Sequence, residues 1–483
     1  MWSRRWTKYV TGLVMVVMVV PGMVLMAGAT GRQPGSDAQD AATRERACAS
    51  LVDRLVAALG AITGQFDGLS VLGTERIPPM PSMERLRAEA VAFDERLAQT
   101  DCRRADARTA VEQWSRAGGA SGPLAESVRA ALAANVVDVV SGGAGPVRRD
   151  VRAGEDLADV LSRLPSGATV VLPEGRFALD RTVAFVQDVT IRGAGRGRTL
   201  ITTRAQGAGM VLASQVGLRL SGVRIEHRGG GTASILLLRA GTAVLRDVHV
   251  TGAPRRAPVG RGSQGVLAGG SGIVVAGGEA LSLRAFTSSR NAVAGLLVAT
   301  GEPRVRASSF RGNGVCGVCY IGRSAGRVVD SVVVGNGAGV MLGERSAPVV
   351  EDNRIEQNKQ AGLVLEGAAH PRVRRNTVRG NGGIGVAVYG TASPRLSGNA
   401  VTGHRQAGVL VDVGARATPR LLDNQLRDNG SAGLVFMGRS GGSASGNACS
   451  ESRFGLVLDG SAAPVLDTND CAVQDQRDGG ASR

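Results

Sequence analysis

From residue 303 onward, short runs of alternating apolar and polar residues are broken at a fixed interval by small polar corners. "PVVEDNRIEQNKQAGLVLEG", "PRVRRNTVRGNGGIGVAVYG" and "PRLSGNAVTGHRQAGVLVDV" succeed one another between residues 348 and 413. Each carries two brief alternating stretches on either side of an Asn, then a Gly-led run such as "GLVL" or "GVAV". A period of two predicts strands, three to a copy. The residues that open the copies, Pro303, Gly326, Pro348, Pro371, Pro394, Pro419, Gly442 and Pro464, are spaced by 23, 22, 23, 23, 25, 23 and 22 residues. That is a structural repeat.

Five residues after each opener stand Ser308, Ser331, Asn353, Asn376, Asn399, Asn424, Asn447 and Asn469. Asn tolerates left-handed backbone and its amide can bond the amides above and below, so a stacked Asn column is expected to hold a bend at every level. A second polar corner follows at Asn313, Asn336, Asn358, Asn381, His404 and Asn429. Three strands in 22 to 25 residues cannot bury a face alone. Stacking copies ~4.8 Å apart pairs each strand with the next copy and closes a common interior, which is a parallel β-helix. Ahead of it, "GEDLADVLSRLP" puts Leu157, Val160, Leu161 and Leu164 on one helical face, suited to capping the open end. Residues 41 to 140 show helical spacing instead, with Cys48, Leu51, Val52, Leu55, Val56, Leu59 and Ile62 on one stripe. The expected organisation is a signal peptide at 1–29, an α-helical domain at 30–140, a linker at 141–152, the β-helix with its capping helix at 153–475 and a tail at 476–483.

The array, roughly residues 147 to 475, resembles the pectate-lyase-like right-handed parallel β-helix superfamily. "SGATVVLPEGRFALDRTVAFVQDVTIRGAGRGRTLI" is similar to that superfamily's usual opening. The resemblance implies a right-handed coil with the Asn column between what the superfamily counts as its second and third strands, here the two short strands that flank each Asn, and a substrate face along the outside of the "GVAV" strand. The superfamily hosts lyases, glycosidases, epimerases and non-catalytic binders, so fold alone does not settle activity.

Composition agrees with the array: of 483 residues 70 are Gly and only 3% are aromatic, which suits stacked turns better than a core of large rings. The net charge is +16, carried by Arg, since Lys8 and Lys359 are the two lysines. At the start, Arg4, Arg5 and Lys8 precede an apolar run from about Val10 to Met26 and then Ala27, Gly28 and Ala29. This reads as an export signal cleaved after Ala29, or as an uncleaved anchor, and places the protein in the periplasm, cell envelope or extracellular space. Six Cys in such a chain invite pairing. Cys449 and Cys471 fall at equivalent positions one level apart, close enough for a disulfide, and Cys48 with Cys102 would tie two helices; reduced, packed thiols are the alternative for both pairs. Cys316 and Cys319 begin a strand, with Met341 beside Cys319, and no metal or cofactor is expected there.

Alternation places Val274, Leu297, Cys319, Met341, Val364, Ala387, Leu410, Val435 and Val457 on the outer face of the third strand. An apolar stripe is not a catalytic floor, and nine exposed apolar positions would need a cover, for which the helical domain is the expected candidate. Candidate catalytic residues are Glu366, Tyr389 and Asp412, in one column at the end of that strand, with His370 in the adjoining turn. The two carboxylates would be two levels, or ~9.6 Å, apart at the backbone, which leaning could bring into the range of an inverting glycosidase pair. Two basic features compete with this column. Arg304, Arg327, Arg372, Arg395 and Arg420 line up outward on the strand that follows each opener, the second in the superfamily's numbering, interrupted by Val349 and accompanied by Glu351 and Asp423. A long corner at residues 253–271 adds Arg255, Arg256 and Arg261. The first reading is a non-catalytic exported binding or scaffold protein that engages acidic polysaccharide or an envelope protein, with self-association open. The second is a polysaccharide hydrolase or lyase. No nucleic acid partner is implied.

Overall fold

The computed structural model describes residues 36–67, 83–117, 122–141, 147–212, 216–239, 241–255, 269–277, 280–414 and 416–477. The expected signal segment, the "GGAGP" stretch at 142–146 and the corner residues Arg256 and Arg261 lie outside them.

Every strand pairing is parallel and joins a copy to its neighbours, which produces one sheet of 13 strands and one of 24. The rung from Arg372 shows the plan: strands at Arg372–Arg374, Thr377–Arg379 and Ile384–Gly390. Its first strand registers Arg372 on Arg395, Val373 on Leu396 and Arg374 on Ser397. The middle residue of each short strand points inward, so Val350, Val373, Leu396 and Leu421 form one buried column and Ile355, Val378, Val401 and Leu426 another. Each such side chain contributes roughly 1.5 to 3 kcal/mol by leaving water, and the sum over rungs holds the coil together.

Both corners are built alike, and the left-handed residue is not the Asn. Positive φ falls one position earlier, at Asp352, Arg375, Asp423 and Thr468 in the first corner and at Arg290, Gln357 and Asp428 in the second. The chain reverses on that residue, and the next one carries the ladder. Asn376 donates its Nδ2 to Asn399 Oδ1 at 3.0 Å and to Val350 O at 2.9 Å, while its N–H also reaches Asn399 Oδ1. The same pattern runs through Asn353, Asn399, Asn424, Asn447 and Asn469. The second corner is also a ladder, from Asn291 through Asn313, Asn336, Asn358 and Asn381.

Among the described residues, five helices precede or open the coil: α1 (Ser36–Gly64), α2 (Met83–Gln99), α3 (Arg104–Arg116), α4 (Pro123–Val140) and α5 (Leu157–Ser162). By length and composition alone, Gln39–Gly64 is apolar enough to cross a membrane. The Cys48–Cys102 disulfide joins α1 to the segment between α2 and α3, with Cα atoms 5.6 Å apart. Helix α5 is the expected cap: Asp156 accepts from Asp159 N–H at its start, and Leu157 and Leu161 are fully buried. The helical region is not a separate body, because α4 lies over the same end of the coil. Ser127 Oγ accepts from Ala184 N–H at 2.6 Å, and Asn135 accepts from Ser166 N–H at 3.1 Å, so one hydrophobic core runs from α4 into the first rungs. The sheet also begins earlier than expected, since Arg148–Asp150, inside the proposed linker, pairs with Ala168–Leu172. At the far end strands continue to Arg477, and the Cys449–Cys471 disulfide ties the last two rungs with Cα atoms 4.8 Å apart.

Candidate functional site

The outer column of the third strand is in the register the alternation gives: Val274, Leu297, Cys319, Met341, Val364, Ala387, Leu410, Val435 and Val457 are successive partners. It is far less exposed than expected. Val274 and Leu297 are fully buried and Cys319, Ala387 and Val457 nearly so, leaving Met341, Val364, Leu410 and Val435 half-covered. Traced back through Leu237 and Val211, the same column reaches Ala184, and there α4 lies against it, with Ser127 Oγ accepting from Ala184 N–H. Cys316 and Cys319 are bonded to each other in this strand, with Cα atoms 6.1 Å apart.

At the end of that strand Tyr389 registers on Asp412. Burial, and then the neighbouring Asp412 carboxylate, push the half-buried Tyr389 phenol up. Glu366 and Asp412 are exposed on either side of it, and His370 points its Nδ1 at Ala368 O, 3.3 Å away, rather than at either carboxylate. A shallow depression lined by Gly322, Arg323, Glu344, Arg345 and Ala368 lies alongside.

On the first strand, Arg304 and Arg327 are partners, as are Arg372, Arg395 and Arg420 in succession, with Val349 between the two groups. All five are exposed. Their electrostatics divide them. Arg327 shares Glu351 with Arg374 and Arg375, and Arg375 also grips Asp352. Although its burial works the other way, these guanidiniums hold the Glu351 carboxyl below the usual carboxylate range. Arg304, Arg372, Arg395 and Arg420 make no ion pair among the described residues. Arg255 donates to Gly269 O at 3.2 Å, and burial pushes its pKa down.

A fourth group stands on the outer face of the second strand. His249 registers between Arg224 and Thr287, and Thr251 between Glu226 and Ser289. Ser289 Oγ donates to Thr251 Oγ1 at 3.2 Å and lies 2.9 Å from His249 Nε2. Arg196 reaches over from the turn at 194–198 to Thr287 Oγ1 (3.0 Å), Ala285 O (3.3 Å) and Asp247 (3.1 Å).

These columns are ladders of identical geometry repeated along one axis, and residues 235–420 match the family model described as right handed beta helix region. The chain is a right-handed β-helix protein. No curated protein matches this β-helix in sequence. Among solved structures it is similar to the catalytic unit of a thermostable GH87 alpha-1,3-glucanase from Streptomyces thermodiastaticus, at 13% identity and TM-score 0.46, covering 69% of this chain and 70% of that one. It is similar also to the periplasmic alginate epimerase AlgG (13%, TM-score 0.36, 68% and 83% covered) and to the A-module of the mannuronan C-5 epimerase AlgE4 of Azotobacter vinelandii (14%, TM-score 0.38, 70% and 98% covered). Likeness at this level is one of fold alone.

The β-helix therefore brings together what a register argument reaches: Tyr389 with Asp412, and Arg372 with Arg395 and Arg420. His370 is turned toward Ala368 O rather than toward either carboxylate. The His249 group escaped the sequence reading because Arg196 and Thr287 are 91 residues apart and meet across several rungs. The one available signal was His249 itself, one of four His in the chain, on an outward position of a strand.

Proposed function

We propose that this is an exported β-helix protein that binds acidic polysaccharide without catalysing its cleavage. The observation that carries the reading is the column Arg372, Arg395 and Arg420: three exposed guanidiniums on successive rungs with no carboxylate partner among the described residues. Like charges one rung apart repel, and elsewhere on the same sheet the fold relieves that repulsion with Glu351. A polymer bearing an anion on successive units supplies the missing counter-charge and gains geometry as well as charge, because guanidinium forks pair two-pronged with carboxylates. Export is supported by the Cys48–Cys102 and Cys449–Cys471 disulfides, which persist in oxidising compartments.

The test is retention of the protein on immobilised uronic, sulfated and neutral polysaccharides across a salt series, with release of new chain ends recorded in parallel. Retention on the acidic supports, weakening steeply with salt and lost in the Arg372→Gln/Arg395→Gln/Arg420→Gln variant, is the expected result. Equal retention on neutral supports overturns the reading. So do new chain ends that vanish in an Asp412→Asn variant, which establish instead the hydrolase or lyase reading of the Tyr389–Asp412 pair.

A further inference from the structure

The surroundings of His249 have the makeup of a discrete binding site apart from both columns. Three features converge there. First, positive charge is in excess: Glu226 is shared by Arg224 and Arg228, Asp247 pairs with Arg196, and Arg290 has no ion pair among the described residues. Arg290 occupies the left-handed position of the second corner (φ 52°), and together with Arg196 and Arg224 its charge acts directly on the imidazole. Second, a donor is left over, because the Nε of Arg224 is buried without a hydrogen-bond partner.

Third, the imidazole presents a lone pair to this cationic patch. Ser289 Oγ spends its proton on Thr251 Oγ1, so it accepts from His249 Nε2, and the ring carries its proton on Nε2. Nδ1 is then an acceptor, with no partner among the described residues. Burial first, then Arg224, Arg196 and Arg290 against the opposing Glu226, lower the pKa of His249 to about 4, so the ring is neutral at pH 7. A simple cation is repelled here by the guanidiniums. A bare oxyanion satisfies them but sets its own lone pairs against Nδ1.

We propose that His249, Arg196, Arg224 and Arg290 form a binding site for a hydroxy-carboxylate, the guanidiniums taking the carboxylate and His249 Nδ1 accepting a hydrogen bond from the hydroxyl beside it. The site stands apart from the Arg372 column and does not rest on the polysaccharide reading. It binds the acid whether free or as one unit of a larger molecule.

The chain's four His make the imidazole nitrogens separable by 15N NMR, with His249→Gln assigning the resonance. The probes, added to the full protein at pH 7, are lactate, propionate (the same acid without the hydroxyl) and sulfate, an oxyanion with no hydroxyl at this pH. Lactate is expected to shift His249 Nδ1 with half-saturation in about the millimolar range, and propionate to bind about tenfold more weakly for want of one hydrogen bond. Arg224→Gln and Arg290→Gln should each weaken lactate by about tenfold. Identical responses to lactate and propionate, a sulfate response equal to that of lactate, or no response of His249 overturn the proposal. Arg290→Gln lies on the surface and keeps a residue type that tolerates this corner, as Gln357 does (φ 52°), so its effect is read on a folded protein. The Arg372→Gln/Arg395→Gln/Arg420→Gln variant should keep the full lactate response, which separates failure at this site from failure of polysaccharide binding.

Discussion

His404 Nδ1 accepts a hydrogen bond from Asn381 N–H at 3.1 Å, standing where every neighbouring rung of the second ladder offers an Asn Oδ1. Its Nε2 faces Val378 O at 3.2 Å, so the imidazole reproduces the acceptor and donor of the amide it replaces, provided it stays neutral. Burial pushes its pKa below the usual 6.5. The unfolded chain therefore binds more protons than the folded one as pH drops below ~6.5, and stability falls with pH through that window. His404→Asn, which keeps both bonds and cannot be protonated, should match the wild type at pH 8 and be the more stable at pH 5, by up to about 1.4 kcal/mol per pH unit crossed. Denaturant midpoints at the two pH values check this. Parallel pH dependence of the two proteins would mean that His404 is not the titrating group.

The first ladder gives a prediction of pure destabilisation. Asn424 Oδ1 accepts from both the N–H and the Nδ2 of Asn399, while its own Nδ2 serves Leu396 O and Asn447 Oδ1. Asn424→Ala leaves buried groups on two adjoining rungs without partners and should cost about 2 to 3 kcal/mol in unfolding experiments. Polysaccharide retention of the folded fraction should be unchanged. A variant of wild-type stability that loses only its ligand would turn the ladder into a binding element.

The pattern of what was legible follows from how far each contact reaches. Asn376 and Asn399 sit at one position of successive repeats, so register alone pairs them, and the same holds for Arg395 with Arg420 and Cys449 with Cys471. The role of the bend residue was misread because two neighbouring positions divide the work: Arg375 turns the chain and Asn376 bonds it. Backbone sign leaves little trace in a repeat where that position is Asp, Arg or Thr by turns. Exposure of the Val274 column was overestimated for a different reason. Alternation says which side a residue faces but not what lies against that side. The docking of α4 and the reach of Arg196 to Thr287 join segments with no shared period, and periodicity is silent on both.

Removal of the Cys449–Cys471 disulfide tests how local the stability of the array is. The bond closes 22 residues between rungs at the end of the coil, and a loop of that length is worth about 3 kcal/mol in the chain-entropy account. In a stack where each rung touches only its neighbours, that loss should concentrate in the last rung. Cys449→Ala/Cys471→Ala should therefore raise amide exchange across Val465–Asp467 and Val473–Arg477 while leaving the Cys316–Tyr320 rung protected. A uniform rise along the whole coil would show that the array unfolds as one unit.

The opposite end is closed by helices, and the consequences of opening it follow from what they cover. Val183, Ala184, Phe185 and Val186 are fully buried, beneath α4 on the sheet of the third strands, and the polar seams there are Ser127 with Ala184 and Asn135 with Leu164 and Ser166. Deleting residues 30–146 strips α4 and uncovers this apolar strand together with the backbone groups of an edge that nothing else pairs, the combination that natural sheets avoid exposing. The truncated protein should self-associate in sedimentation experiments and bind more hydrophobic dye than the full chain. Asn135→Ala, which removes one seam without removing the helix, should loosen docking by about 1 to 3 kcal/mol, read as faster proteolysis between α4 and the coil with the rungs themselves intact. If the truncated coil stays monomeric and binds no extra dye, α5 alone suffices to close the end, and the helices from α1 to α4 are free to present a surface of their own.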